Sequence, residues 1–510
     1  MSKRTLVIGW DGAPYDKISK WVQEGKLKNL GKLVDKGAFG PLETTKLTIS
    51  SCAWTTMVTG KNAGKHGIYD FFGTKFVSDS YFREPINSKW RRAKALWNYL
   101  SNYGYRVGTV NIPITYPAER VNGFMVGGMM SPGVDAPGFT YPANLLKDYP
   151  KLKEYRIDIE GAKHLDRDKF IYEVNKTIEE RFNLFRYLII KEDVDLFFGV
   201  FTSSDRFSHY MWHFFDQNHP YRKHESEEDL KKYKNSLLEL YQKLDEYLGE
   251  LISEFGPDNV MVVSDHGFAS IYKYFEFNKW LYLKGYLKFK PKSEWKEFKH
   301  GKLNPKRTYI YGKVDWSETQ AYMIGKRGSV YINLEGREPH GVVKKEEYED
   351  LVEELIKEIK KIKDPETGEY IVQDALPRDE IFSGPYLNEA PDILTFFKDK
   401  YASIGYIVDL NSEDLFIVND RPDLELELGI ERYAGIFVAS GLDYRHTNVN
   451  AWIGDVTPTI LHTYGIPRDP DMDGKVLDIF AEDFVFKERK AELSKKEKSI
   501  IAKLKKLGKI

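Results

Sequence analysis

The chain has 510 residues and carries 76 Lys and Arg against 77 Asp and Glu, a formal charge of −1. That balance supplies no field to draw it onto nucleic acid or an anionic membrane, and 42% hydrophobic with 14% aromatic residues excludes a predominantly disordered chain. A single cysteine, Cys52, excludes an intramolecular disulfide and a thiolate metal cluster, so any metal must be held by His, Asp or Glu.

The first apolar run, Thr5–Trp10, follows Met-Ser-Lys-Arg and is too short for a signal peptide. No uncharged stretch approaches the ~20 residues of a membrane span, and the expectation is a soluble, cytoplasmic protein. The run ends at Asp11, in Val-Ile-Gly-Trp-Asp-Gly-Ala-Pro. Ligands bind at the carboxyl ends of strands in open α/β sheets, so this carboxylate can hold a cation; a plain Asp-Gly turn is the alternative. Next, Ser50 and Ser51 precede a helix pattern that stops at Gly60. A hydroxyl there lies near unpaired N–H groups and the positive end of the helix dipole, which favour an alkoxide or a phosphate, unless the serines merely cap the helix.

The run Val107–Ile112 contains Asn111, able at a strand end to donate to a phosphoryl oxygen or to form a turn before Ile-Pro. Phe170, Val174, Ile178, Phe182 and Phe185 recur at helical spacing, as do Leu237, Leu240, Leu244, Leu248 and Leu251; these stripes are core faces. Between them the run Leu196–Thr202 leads into Asp205 and His209, whose i, i+4 spacing puts both on one helix face, as two ligands of one metal require. The run Val260–Val263 ends in Ser-Asp-His-Gly, and Asp265 beside His266 is hard to explain as packing, because burying either unpaired costs several kcal/mol. From Ile271 to Arg378 the chain turns aromatic and basic, with one Lys/Glu helix around Leu351, Leu355 and Ile359, and reads as an inserted cap. A last strand, Ile436–Ala439, precedes a basic terminal helix over 486–510. Short apolar runs alternating with amphipathic helices predict an α/β fold with a mainly parallel sheet.

A carboxylate, a hydroxyl, an Asp/His pair on a helix and an Asp-His dipeptide at successive element ends form the inventory of two-metal hydrolysis, in which two divalent ions about 3.5–4 Å apart serve nucleophile and leaving oxygen. Phosphoryl transfer suits it, since it asks little of the protein beyond positioning and charge neutralisation.

With these pieces in this order, the chain resembles the alkaline phosphatase superfamily, most closely its type I phosphodiesterase/nucleotide pyrophosphatase-like branch. The matching segments are Gly-Trp-Asp-Gly around Asp11, Ser50–Gly60 with Gly64-Lys-His-Gly-Ile68 behind it, Asp205 with His209, Ser-Asp-His-Gly at 264–267, and Asp455-Val-Thr-Pro-Thr-Ile-Leu461 leading into Asp471-Met-Asp-Gly474. The resemblance implies a three-layer α/β/α sandwich, here with a core of residues 1–270 and 379–485 and the cap at 271–378. It implies two divalent ions, Zn or Mn, with Mg as the further option, one held by Asp11, Asp265, His266 and the nucleophile, the other by Asp205 and His209. Ser50, four residues before Trp54 and nine before Thr59, takes the nucleophile's place, with Ser51 as the fallback. Sulfatase-like relatives use a modified Cys in Cys-x-Pro-x-Arg, whereas Cys52 is followed by Ala-Trp-Thr.

One position departs from the family pattern. Where a His in a Gly-x-His-Arg setting would complete the second metal site, this chain reads Gly429-Ile-Glu-Arg432, which places Glu431 there. A carboxylate shifts preference toward Mn²⁺ or Mg²⁺ relative to Zn²⁺; His446 and His462 are the substitutes. The resemblance thus implies a metal-dependent hydrolase of phosphate esters acting through a phosphoserine at Ser50 on a small phosphate ester or nucleotide, diesters before monoesters. A phosphomonoesterase, a phosphotransferase or mutase, and a non-catalytic metal-binding scaffold are the alternatives.

Overall fold

Alternate residues of the strand Thr5–Trp10 point to opposite faces of a sheet, and here both faces are covered. Leu6, Ile8 and Trp10 join a core made with the helices Arg167–Lys191 and Ser236–Phe255. Val7 points the other way, into a core built on the helices Ser50–Thr59, Leu96–Asn102 and Val456–Thr463. Because every residue of this strand is buried, it reads as a continuous apolar run without alternation, as central strands of parallel sheets do. The computed structural model describes residues 3–489 apart from 78–79, 160, 296–308, 311, 326 and 433, so most of the basic run at 486–510 and part of the aromatic-basic run at 288–300 lie outside the described residues.

Among the described residues the main sheet has ten strands. From one edge they run Thr447–Asn448, Ala38–Glu43, Gly435–Gly441, Asn259–Val263, Thr5–Trp10, Leu196–Phe201, Val107–Val110, Gly123–Val126 and Thr140–Tyr141, with Ala451–Trp452 also on Ala38–Glu43. The five from Asn259–Val263 to Gly123–Val126 are parallel, and Gly435–Gly441 and Thr140–Tyr141 are antiparallel to their neighbours. This is the expected α/β sandwich with helices on both faces. The strand Ala38–Glu43 escapes the run pattern because Gly40 and Pro41 interrupt it; Gly40 is there because a Cβ would come within 1.7 Å of the Val449 carbonyl oxygen.

Register aligns the ends that matter. Trp10 stands opposite Phe201, and Gly9 opposite Val263, so the three central strands deliver Asp11, Thr202 and Ser264 to one edge.

Beyond Asp265 the strand Gly267–Glu276 leaves the main sheet and pairs with Lys400–Ile404, Phe416–Val418 and Gly429–Arg432. A further sheet, Ala321–Met323, Ser329–Ile332, Ile393–Phe397 and Val372–Pro377, has its own core with the expected Lys/Glu helix, Tyr348–Ile359. Its strand Ile393–Phe397 comes from beyond residue 378. Among the described residues no helix is long and apolar enough to cross a membrane.

Candidate active site

Asp11 leaves the first strand fully buried and is fixed on two sides. Its Oδ2 accepts from Trp54 Nε1 at 2.9 Å, and its carbonyl accepts from Ser204 Oγ at 2.6 Å. The chain then turns at Gly12, whose φ of +69° and position, with a Cβ 3.2 Å from the Cα of Asp205, leave no room for a side chain. The Gly12 N–H donates to Asp265 Oδ1 at 3.1 Å, and Ser264 Oγ accepts from the Ala13 N–H while donating to the His266 carbonyl. Three sequence-distant strand ends are thereby tied into one corner.

The imidazoles are oriented alike. His266 Nδ1 bonds the Gly267 carbonyl at 3.0 Å and His209 Nδ1 the Gly429 carbonyl at 3.1 Å. A carbonyl only accepts, so each Nδ1 carries the proton and each Nε2 faces the carboxylates, the usual arrangement of a metal-ligating histidine. His266 Nε2 lies 3.1 Å from Asp265, 3.7 Å from Asp11 and 3.9 Å from Asp205. His209 Nε2 lies 3.3 Å from Asp205, on the next turn of the helix Ser203–Met211, and 3.7 Å from Glu431. Glu431 arrives from the strand Gly429–Arg432, where it pairs with Phe268, two residues past His266.

Asp11, Asp205 and His266 offer ligand atoms within 4.8 Å of one another, and so do Asp205, His209 and Glu431. Four buried carboxylate oxygens in this corner, Asp11 Oδ1, Asp205 Oδ1, Asp265 Oδ2 and Glu431 Oε2, have no hydrogen-bond partner. Buried carboxylates without donors need cations, and these residues therefore fit divalent metal. Without metal, protons take the cations' place: burial opposes the His266 imidazolium, but Asp265, then Glu431 and Asp11, outweigh it and push its pKa up to about 10. Burial likewise opposes the charge on His209, and Asp205 with Glu427 and Glu431 raises it. Burial, reinforced by Asp265 and Asp205, raises Asp11 well above the ordinary carboxylate range.

Ser50 is the first residue of the helix Ser50–Thr59, and its Oγ lies 3.2 Å from His266 Nε2. It lines a cavity of about 340 Å³ together with Asp205, His209 and Glu431. Ser51, the fallback, is fully buried, does not line this cavity, and has a hydroxyl without a partner. Cys52 is buried too, and burial pushes its thiol up to about 12, so no thiolate is on offer.

Asn111 stands at the same sheet edge, at a left-handed φ of 61°, but fully buried, with its Nδ2 donating to the Val200 carbonyl at 2.9 Å; it is not brought into the cavity lining. His446 bonds the Val34 carbonyl and His462 stacks on Phe486, so neither joins the cluster. Lys65 pairs with Asp473, and His66 meets Thr56 Oγ1 in a site where burial drops its pKa to about 3. Arg206 lines the cavity in a two-point pair with Asp158, at 3.2 and 2.5 Å.

Sequence reasoning missed Arg327. It lies in the turn between Ala321–Met323 and Ser329–Ile332, lines the cavity, and bonds Glu431 Oε1 through Nη2. Nothing local marks it; Lys-Arg-Gly between two short strands is an ordinary turn.

A mainly parallel α/β sandwich with a metal-competent cluster of carboxylates and imidazoles at the carboxyl edge of its sheet defines the class. The chain belongs to the type I phosphodiesterase/nucleotide pyrophosphatase family, whose pattern matches residues 5–414. Among solved structures it is similar to human ectonucleotide pyrophosphatase/phosphodiesterase 5, at 13% identity and a TM-score of 0.51, over 94% of this chain and 100% of that one. The murine counterpart, solved alone and as an inactive variant in complex with AMP, gives 13% identity and a TM-score of 0.49 over the same shares. At such identity the likeness is one of fold. No curated protein matches the chain in sequence.

Proposed function

We propose that this protein is a divalent-metal-dependent phosphodiesterase or nucleotide pyrophosphatase with Ser50 as its nucleophile. The observation that carries the reading is the Ser50 hydroxyl, at a helix N-terminus and 3.2 Å from His266 Nε2, beside buried carboxylate oxygens that lack partners. Asp11, Asp265, His266 and Ser50 would hold one ion, and Asp205, His209 and Glu431 the other. Bound there, such ions supply Lewis-acid activation of a hydroxyl and neutralisation of phosphoryl charge.

The chain's own residues do the rest. The helix N-terminus favours negative charge on the Ser50 oxygen. Ser50 Oγ bonds to phosphorus as the ester oxygen departs, and water then cleaves the resulting phosphoserine. Leu47, Ile49, Tyr69, Phe71, Phe72 and Met129 line the same cavity and suit an organic substituent. The division into a core (1–270 and 379–485) and an inserted cap (271–378) belongs to the same proposal, the cap walling the cavity through Gly325, Arg327 and Ser329.

The test compares bis(p-nitrophenyl) phosphate with p-nitrophenyl phosphate, using metal-stripped protein resupplied with Mn²⁺, Zn²⁺ or Mg²⁺. The expected result is metal-dependent turnover with the diester preferred. Monoester preference would make the protein a phosphatase, and no turnover with any metal would leave acceptor-dependent transfer or a metal-binding scaffold.

A further inference from the structure

The cavity beside Ser50 is lined by five carboxylates, Asp70, Asp158, Asp205, Glu427 and Glu431, and by two guanidinium groups, Arg206 and Arg327. A phosphate ester is itself an anion; beyond the proposed metal ligands Asp205 and Glu431, three carboxylates still face it, and the two guanidinium groups are the arginine side chains of the lining that can meet its oxygens. Arg206 is already engaged, both of its contacting nitrogens being bound to the two oxygens of Asp158. Arg327 lines the cavity with a guanidinium held at Nη1 and Nη2 by single contacts, neither of them a two-point pair. Its Nη2 bonds Glu431 Oε1, its Nη1 reaches Thr48 Oγ1 at 3.5 Å, and its buried Nε has no partner. A guanidinium carries five N–H donors in a rigid fork that matches the oxygens of a phosphate.

The backbone holds the side chain there. Arg327 has φ +74°, a conformation that a non-glycine residue keeps only where the surroundings hold it. The next residue is held closely as well: the Gly328 N–H donates to Ser403 Oγ at 2.7 Å, and Gly328, at φ +67°, has no room for a Cβ, which would lie 2.7 Å from both Thr395 Cβ and the Thr395 carbonyl oxygen. The turn thus aims a long cationic side chain from the inserted region into the core's cavity, while its own Glu431 contact leaves the second carboxylate oxygen, Oε2, without a hydrogen bond.

We infer that Arg327 binds a non-bridging oxygen of the substrate's phosphoryl group, with Glu431 fixing the guanidinium from behind. The inference rests on the phosphoryl-transfer reading of the site, and it assigns to the inserted turn a part of the machinery that no local motif carries. Arg327 here stabilises charge that grows on the phosphoryl oxygens during transfer, an effect worth about 100-fold or more in rate for one well-placed donor.

The test measures inorganic phosphate binding to the metal-loaded full-length protein by calorimetry, for wild type, Arg327→Ala and Arg327→Lys, with metal content determined on the same samples. The expected result is phosphate binding weakened at least about tenfold in Arg327→Ala and partly recovered in Arg327→Lys, at unchanged metal content. In parallel, kcat/KM for the diester falls about 100-fold in Arg327→Ala and partly recovers with millimolar guanidinium chloride. Unchanged phosphate affinity in Arg327→Ala overturns the inference. So does metal loss in step with phosphate affinity, because Arg327 would then only support Glu431, and so does a wild type that binds no phosphate. Should the alanine variant not fold, Arg327→Lys decides alone: full wild-type phosphate affinity without the fork contradicts the assignment. A wild type that binds phosphate but cleaves no ester would refute the diesterase reading and leave Arg327 in place.

Discussion

The two halves of the cluster are built differently. Asp11, Asp265 and His266 sit at 0% exposure just beyond the ends of two adjacent parallel strands of the main sheet, each fixed by short contacts to Trp54, Gly12 or Gly267. Asp205, His209 and Glu431 form the cavity wall. Their half depends on a helix, on a strand of a smaller sheet and on the turn that carries Arg327. The buried half is rigid by construction, because moving it means moving the centre of the sheet. The wall half draws instead on three different pieces of the chain, which meet only at the cavity.

The largest expected effects fall on the nucleophile and on the buried half beside it. Ser50→Ala should lower diester turnover by about 10³-fold or more while leaving the melting temperature and bound metal near wild type, as steady-state kinetics with metal analysis will show. Asp11→Asn should remove the metal-induced gain in stability, about 2.7 kcal/mol when free metal is 100 times its Kd. The same change should raise the stability of the metal-free form, since it deletes one of several crowded carboxylates; thermal melts with and without Mn²⁺ read both. Gly12→Ala places a Cβ in a left-handed turn against Asp205 and should destabilise the protein by about 1–3 kcal/mol, measured by denaturant unfolding. A variant as stable as wild type would mean that this corner is looser than drawn.

The wall half should give smaller, selective changes. Glu431→His replaces the carboxylate by an imidazole, and the Zn²⁺-to-Mn²⁺ ratio of activities should rise relative to wild type, with little change in melting temperature. An unaltered ratio would detach Glu431 from the metal. A further effect is one of pH. His266 titrates near 10 in the folded metal-free protein against about 6.5 unfolded. A raised histidine pKa contributes stability that is fully present below the unfolded value and is lost as pH climbs through the folded one. Metal-free protein should therefore lose stability between about pH 6.5 and 10, and His266→Gln should flatten that slope.

Legibility in the sequence followed the same division. Asp11, Asp265 and His266 were readable because each ends an apolar strand, and strand ends in parallel sheets converge; Asp205 and His209 were readable from one helical turn. Glu431 was reachable only through resemblance, since its partnership with His209 depends on the pairing of Gly267–Glu276 with Gly429–Arg432, which no local pattern encodes. Arg327 was invisible for the same reason. Asn111 was correctly set at a strand end, but its amide serves the Val200 carbonyl, a bond set by the neighbouring strand. In the fold, four of the five parallel strands announced themselves as apolar runs, whereas Gly123–Val126, Ala38–Glu43, broken by Gly40-Pro41, and the short strands of the smaller sheets did not.

The central claim is that Ser50 attacks phosphorus in a metal site. Acid-quenching the metal-loaded protein during turnover of bis(p-nitrophenyl) phosphate, followed by peptide mass spectrometry, tests it most directly. The account predicts a phosphoryl adduct on Ser50 that appears only when metal is present and is absent from Ser50→Ala. Full turnover by Ser50→Ala, or an adduct on another residue, would contradict it.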